Sequence, residues 1–202
     1  VAENRSRLRA ALELPTEPAW LEQVHGAGVA VLPSPARVPA DGVVTVERGP
    51  VCAVLVADCL PVFLASRAGD RAGIAHAGWR GLAAGVLESA LAALECAPEE
   101  LMAWLGPAIG PCAFEVGDEV RACFMADDAG NGVAFERNQR GRWQADGNHE
   151  LAQTATQTRQ TRDAGLGDPT EVVGPNQRVP PDAVTSADLI IFVGQYSMPS
   201  PN

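Results

Sequence analysis

The chain has 202 residues, of which 47% are hydrophobic, 20% charged and 5% aromatic. This is a globular composition that suits one domain and excludes wholesale disorder. With 15 basic residues against 25 acidic ones the net charge is −10, so no basic face is available to displace counterions from a nucleic acid. Every basic residue is an arginine, which excludes Schiff-base lysine chemistry and a P-loop.

In chain order, residues 2–13 (AENRSRLRAALE) predict a helix, with Leu8, Ala11 and Leu12 at helical spacing and Pro15 and Pro18 ending it. Trp20 to His25 predicts a short strand entering a glycine turn, and Val29 to Leu32 predicts another strand. Pro33, Pro35 and Pro39 mark a loop, and Asp41-Gly42 a turn before a strand at Val43 to Val46. Val51 to Cys59 carries a continuous apolar run, the pattern of a strand covered on both faces. Strands follow at Pro61 to Leu64 and Ala72 to Ala77, separated by the turn Ala68-Gly69-Asp70.

From Leu82 to Leu94 the period becomes helical, with Leu82, Val86, Leu87, Ala90, Leu91 and Leu94 on one stripe. Leu101 to Leu105 predicts a buried strand, GPAIGP a stiff loop and Asp118 to Met125 a short helix. Residues 127–149 are polar and turn-rich. ELAQTATQTRQTRDAG is weakly amphipathic, PNQRVPPDAVTS is loop-like, and Leu189 to Gly194 is the one clear late strand. No internal repeat is visible. The alternation predicts a single α/β domain with a mixed sheet and helices on its faces.

Five cysteines stand at 52, 59, 96, 112 and 123 with no CxxC. An odd, irregular set does not read as a secreted disulfide framework. The start of the chain is charged and carries no signal-peptide pattern, and no apolar run reaches the ~18 residues of a membrane span. A cytoplasmic protein is expected. The first residue is Val1, so the natural start is expected to lie upstream.

Three histidines are present: His25, His76 and His149. His25 in QVHG, His76 in AHAGWRG and Cys59 in ADCLP all fall at predicted strand ends, where ligands gather in open α/β folds. Two imidazoles and a thiolate are good ligands for a divalent ion and leave a fourth position open. Their spacing matches no compact metal motif. Each could instead be a packing residue. The same atoms also allow a metal-free nucleophile, with Cys59 attacking, His76 as its base and Asp58 or another carboxylate orienting the imidazole.

Arg80 precedes a predicted helix start and offers a bidentate fork to a phosphate or carboxylate, although it could equally satisfy nearby carbonyls. Trp79 could stack on a ring or belong to the core. The GPAIGP loop could line a pocket, and Glu115 could be an acid, a supporting group or a surface residue.

The segments WLEQVHG, DGVVT, VLVADCLPV, AHAGWRGLAAGVLE and WLGPAIGPCAFEVGDEV occur here in order. Together they resemble the bacterial laccase-domain family, also called polyphenol oxidase or peptidoglycan editing factor. The resemblance runs from residue 1 to about 147. It implies one α/β/α sandwich, distantly similar to toxin deamidases that use a Cys–His pair. It implies His25, Cys59 and His76 as ligands of zinc, with copper also assigned in the family. Cys59 and His76 then take the catalytic roles, and Arg80 and Gln23 are expected to bind substrate.

The implied activities are phosphorolysis of adenosine, inosine, guanosine and methylthioadenosine, with adenosine deamination. The family is also linked to peptidoglycan composition. The expected partners are therefore a purine nucleoside and phosphate, with no nucleic acid and no membrane, on a monomer or weak oligomer.

Two departures stand out. The family's N-terminal segment does not precede the ENR helix, and residues 148–202 lack the family's Cys-Thr segment and Arg-rich hairpin. The laccase label itself fits poorly, because multicopper oxygen reduction needs several clustered coppers and more imidazoles than three. Beyond the Cys–His amidase, the remaining alternatives are a copper polyphenol oxidase and a non-catalytic module that keeps a structural metal.

Overall fold

In a computed structural model, residues 1–34, 38–147, 172–173 and 191–194 are described. Helix α1 spans Ala2–Ala11. It sits lightly on the domain, with Leu8 as its contact to the small cluster of Leu14 and Val51. Strand β1 is only Ala19–Trp20, shorter than the predicted Trp20 to His25. After it the chain keeps a single bridge, Glu22 to Pro39, and then turns away towards His25.

Six strands form the main sheet. They are β2 (Val29–Leu32), β3 (Gly42–Thr45), β5 (Leu60–Ser66), β6 (Ala72–Ala77), β7 (Leu101–Leu105) and β11 (Val172–Val173). Their order is β11-β7-β5-β6-β3-β2. The outer pairs β2–β3 and β7–β11 are parallel, and the inner pairs are antiparallel. The mixed sheet expected from the sequence is therefore present.

Every residue of β3 and β6 is buried, because both faces of these central strands are covered. Alternate side chains along a strand point to opposite faces. Val44, Ala75 and Ala77 face Val86, Leu87, Ala90 and Leu94 in one core cluster. Val43 and Ile74 face the other way, against Val54, Val56 and Cys52 of β4 (Cys52–Val56). Truncating Ile74, which is fully buried, to Ala would leave a void between the sheets and cost about 2–5 kcal/mol.

Strand β4 is the middle of a second, all-parallel sheet with β1 and β12 (Ile191–Gly194). Among the described residues the layers run helix, six-stranded sheet, three-stranded sheet.

The helix predicted over Leu82 to Leu94 is two helices, α2 (Trp79–Ala83) and α3 (Val86–Ala93). Gly85 separates them with φ +85°. This left-handed conformation ends α2 and is open to glycine without penalty. The break lets α2 turn over the sheet end while α3 keeps its apolar stripe on the sheet.

Residues beyond α4 (Asp118–Asp127), read from sequence as polar turns, supply two strands of a third sheet, and the third strand lies just before α4. Strands β8 (Glu115–Val116), β9 (Phe135–Arg137) and β10 (Trp143–Ala145) pair antiparallel in the order β8-β10-β9. Three strands of two or three residues leave little periodicity to read. What holds them is a satellite core of Val116, Val120, Phe124, Ala134, Phe135 and Ala145, against which Trp79, Leu82 and Phe114 pack.

The weakly amphipathic stretch 150–165, the loop-like stretch 175–186, His149 and the tail lie outside the described residues.

Candidate metal centre

Register explains why the site forms where it does. In the β3–β6 ladder Gly42 pairs with Ala75 and Val43 with Ile74. The next rung outward is Asp41 with His76, and the His76 N–H donates to the Asp41 carbonyl at 2.7 Å. Asp41 shares a face with Val43, and His76 with Ile74, so both side chains point towards β4. Residues Ala57, Asp58 and Cys59 form the bend joining β4 to β5. The loop after β1, which runs parallel to β4, carries His25. Strand ends of both sheets therefore deliver ligands to one point, the usual position of a site in an α/β fold.

One potential ligand atom from each of His25, Cys59 and His76 lies within 4.8 Å of the others. The imidazoles meet edge to face, with centroids 4.8 Å apart and planes at 75°. His25 is exposed, Cys59 half-buried and His76 buried. All three residues singled out from the sequence are thus brought together.

The sequence reading missed the residue that organises them. Asp41, read there only as part of a turn, is 0% exposed and accepts four hydrogen bonds. Oδ2 accepts from the N–H groups of Gly26 at 2.7 Å and Val24 at 3.1 Å. Oδ1 accepts from the N–H of His25 at 2.9 Å and pairs with Nδ1 of His76 at 2.9 Å. Burial raises its pKa. The bonds from His76, then Gly26, Val24 and His25, outweigh burial and hold it below the usual 3.8. An ionised carboxylate can only accept, so Nδ1 of His76 carries the proton and Nε2 is left as the free donor of electrons. The sequence left the imidazole-orienting carboxylate open between Asp58 and another, and here it is Asp41. Asp58 sits beside the thiol in sequence and lines the pocket rim.

Cys59 is not an activated thiol. Burial first, then the charge and hydrogen bonding of Asp58 and the charge of Asp41, push it up from 9.0 to about 11. A free cysteine nucleophile needs the opposite shift. A bound cation would reverse this logic, because a coordinating thiol is deprotonated outright.

Gly78 keeps the space that the sulfur needs. A Cβ there would stand 2.8 Å from Cys59 Sγ and 3.2 Å from His25 Cδ2. With metal–sulfur and metal–nitrogen bonds of ~2.3 and ~2.1 Å, the three side chains close on one ion by adjustments on the order of 1 Å. The donor set, the fixed tautomer and the cleared space fit such an ion.

His25 and Cys59 line a pocket of about 280 Å³ together with Trp79, Arg80, Ile109 and Phe114, and the buried His76 ring stands behind them. The GPAIGP loop does line the pocket, tied down by the Ile109 N–H donating to the Asp58 carbonyl at 3.0 Å. Arg80 lies over the Trp79 ring at 4.3 Å and, among the described residues, faces no carboxylate.

Gln23 has a different task from the substrate contact expected of it. Its amide nitrogen donates to the Leu55 carbonyl at 2.8 Å and its oxygen accepts the Leu55 N–H at 2.7 Å. Both ends of the amide are thus committed to strand β4. Glu115 points its carboxylate to Asn138 and Arg140 and does not line the pocket.

Fold and site together define a mixed α/β domain with a two-histidine, one-cysteine centre at the end of its sheets. The chain belongs to the family described as multi-copper polyphenol oxidoreductase laccase, whose model matches residues 1–169, past the point where the sequence motifs fade. It is similar to the purine nucleoside phosphorylase YfiH of Escherichia coli K12, with 56% identity over 137 residues, 67% of this chain and 56% of that protein. A purine nucleoside phosphorylase of Xylella fastidiosa 9a5c is 52% identical over 153 residues, 72% of this chain and 59% of that protein.

The chain therefore spans less than two thirds of these curated relatives. Among solved structures, a Neisseria meningitidis protein superposes with TM-score 0.72 at 36% identity, covering 85% of this chain and 66% of that one. YlmD from Geobacillus stearothermophilus superposes with TM-score 0.67 at 28% identity, covering 84% and 67%. Among the described residues, no helix is long and apolar enough to cross a membrane.

Proposed function

We propose that this chain carries the metal centre of a purine nucleoside phosphorylase, with His25, Cys59 and His76 holding zinc and with adenosine deamination as a second activity. The observation that carries the reading is the convergence of these three side chains within 4.8 Å of one another, beside a pocket that His25 and Cys59 line, in a chain whose relatives bear that name. The nucleosides expected are adenosine, inosine, guanosine and methylthioadenosine.

When bound, such an ion supplies a Lewis acid and lowers the pKa of a water it holds. The protein's own groups do the rest. Asp41 keeps the His76 ring in one tautomer and orientation. Trp79, Ile109 and Phe114 give apolar walls of the kind a planar base occupies. Arg80, without a carboxylate partner among the described residues, offers its guanidinium fork to the phosphate that attacks the ribose C1′. That attack forms the C1′–O bond, breaks the glycosidic C1′–N bond and leaves its electron pair on the purine, which takes up a proton from solvent.

One observation favours a second reading. Asp41 bonds the His76 ring, and that ring lies within 4.8 Å of the Cys59 sulfur, so a carboxylate, an imidazole and a thiol stand in line in space as in a cysteine hydrolase. The raised thiol pKa and the second imidazole beside the first weigh against it.

The test is phosphate-dependent release of hypoxanthine from inosine by the full chain and by Cys59→Ala. The expected result is a rate that requires phosphate and falls at least about 100-fold in the variant, as a coordinating residue should exceed the ~10–100-fold effects of groups outside the ligand set. Equal rates overturn the reading. A chelator-resistant, iodoacetamide-sensitive amidase activity supports the second.

A further inference from the structure

We propose that Asp41 is the positioning residue of the centre, one buried carboxylate that sets two of the three ligands at once by fixing the His76 ring through Nδ1 and the His25 loop through three consecutive N–H groups. The proposal rests on the metal-centre reading and adds to it a residue with no contact to the ion. The four bonds already described divide evenly, with two on each carboxylate oxygen. One oxygen bridges the two ligand residues directly, since Oδ1 accepts both from the His25 backbone and from the His76 ring. The other oxygen holds the residues on either side of His25. A carboxylate is the one side chain that can accept all four bonds.

This arrangement does more than close a loop. His25 has φ +60°, a left-handed conformation that a residue with a side chain adopts only under local constraint. The constraint here is the run of N–H groups at 24, 25 and 26 converging on Asp41. On the ring side, the bond to Nδ1 leaves Nε2 unprotonated, as a ligand must be.

An amide in place of the carboxylate cannot satisfy both sides. If its oxygen takes the Oδ1 position, the N–H groups of Val24 and Gly26 face an NH₂ donor. If its nitrogen does, that nitrogen donates to Nδ1 and moves the ring proton to Nε2, where it blocks coordination. Asp41→Asn therefore harms one ligand or the other whichever way it turns.

The test uses the full chain, metal-free and with Zn²⁺ alone. Imidazole ¹⁵N spectra of the metal-free wild type, at a pH where the ring is neutral, are expected to show His76 protonated on Nδ1. Zn²⁺ competition against a chromogenic chelator is expected to give Asp41→Asn an affinity about 10–100-fold below wild type. Hydrogen exchange at residues 24–26 is expected to be faster in that variant.

A wild-type His76 protonated on Nε2 overturns the proposal, and this measurement does not depend on the variant folding. A folded Asp41→Asn that binds Zn²⁺ within twofold of wild type also overturns it. A wild type with the expected tautomer that takes up no Zn²⁺ overturns the metal-centre reading instead, leaving Asp41's hold on the ring intact.

Discussion

His76 and His25 reach the same cluster by opposite constructions. His76 is 3% exposed on a strand whose neighbours hold it on both edges, so the sheet itself sets its place. His25 is exposed on a loop, with a left-handed backbone that costs about 1–2 kcal/mol for an L-residue. A ladder places a side chain without help, whereas a loop must be tied. Here the tie is Asp41, which also serves the strand ligand. The pair shows how a site can draw one ligand from a rigid element and another from a strained one and still hold a common geometry.

The largest way to break this contrast is to remove each imidazole. His76→Ala and His25→Ala should each lower Zn²⁺ affinity more than about 100-fold, beyond the range for residues outside the ligand set, as chelator competition would show. Stability should separate them. His76→Ala leaves Asp41 buried with one acceptor bond unmade and should lose about 1–3 kcal/mol in denaturant melts. His25→Ala, at an exposed position, should stay within about 0.5 kcal/mol. Equal losses would mean that the two ligands are not built differently.

Gly78→Ala presses on the sulfur and on the His25 ring together, and a loss of about 1–3 kcal/mol is expected from overpacking, with weaker Zn²⁺ binding. His25→Gly sharpens the comparison in the other direction. It should stabilise the metal-free chain by about 1 kcal/mol by relieving the left-handed strain, while removing a ligand.

The smallest effects are in pH. The folded pKa of Cys59 is raised, so in the metal-free protein its contribution to stability is complete below 9.0 and lost as pH rises towards about 11. Asp41 has a lowered pKa, so its contribution is present above 3.8 and lost as pH falls through the lowered value. Cys59→Ser should flatten the alkaline limb of a stability–pH curve and Asp41→Asn the acid limb. A wild-type alkaline limb already flat between pH 9 and 11 would show that burial does not hold the thiol proton.

Much of this was legible in the sequence. Strands β2, β6 and β7 lie where the apolar runs placed them, because buried strands leave continuous Val, Ala, Ile and Leu. The three residues of the cluster were legible because Cys and His are scarce and stood at strand ends. Asp41 was not, since an Asp-Gly pair reads first as turn chemistry, and its role depends on a cross-strand register that a single sequence does not print. A signal was available: a carboxylate just ahead of a buried strand lacks a reason to be there unless something donates to it. The split at Gly85 was hidden by an apolar stripe that continues across it, and the β8-β10-β9 sheet by strands of two or three residues. Gln23 misled because it stands two residues before His25, a member of the cluster.

That glutamine has a consequence for the path of the main chain. Strand β1 pairs with β4 only at Cys52 and Ala53, and at Leu55 the Gln23 side chain makes the two bonds that another backbone residue would have made. An amide side chain thus stands in for a missing rung. The polypeptide can leave the sheet two residues before His25 and swing out over the pocket, and at Leu55 the strand it leaves behind offers no open edge to a passing chain.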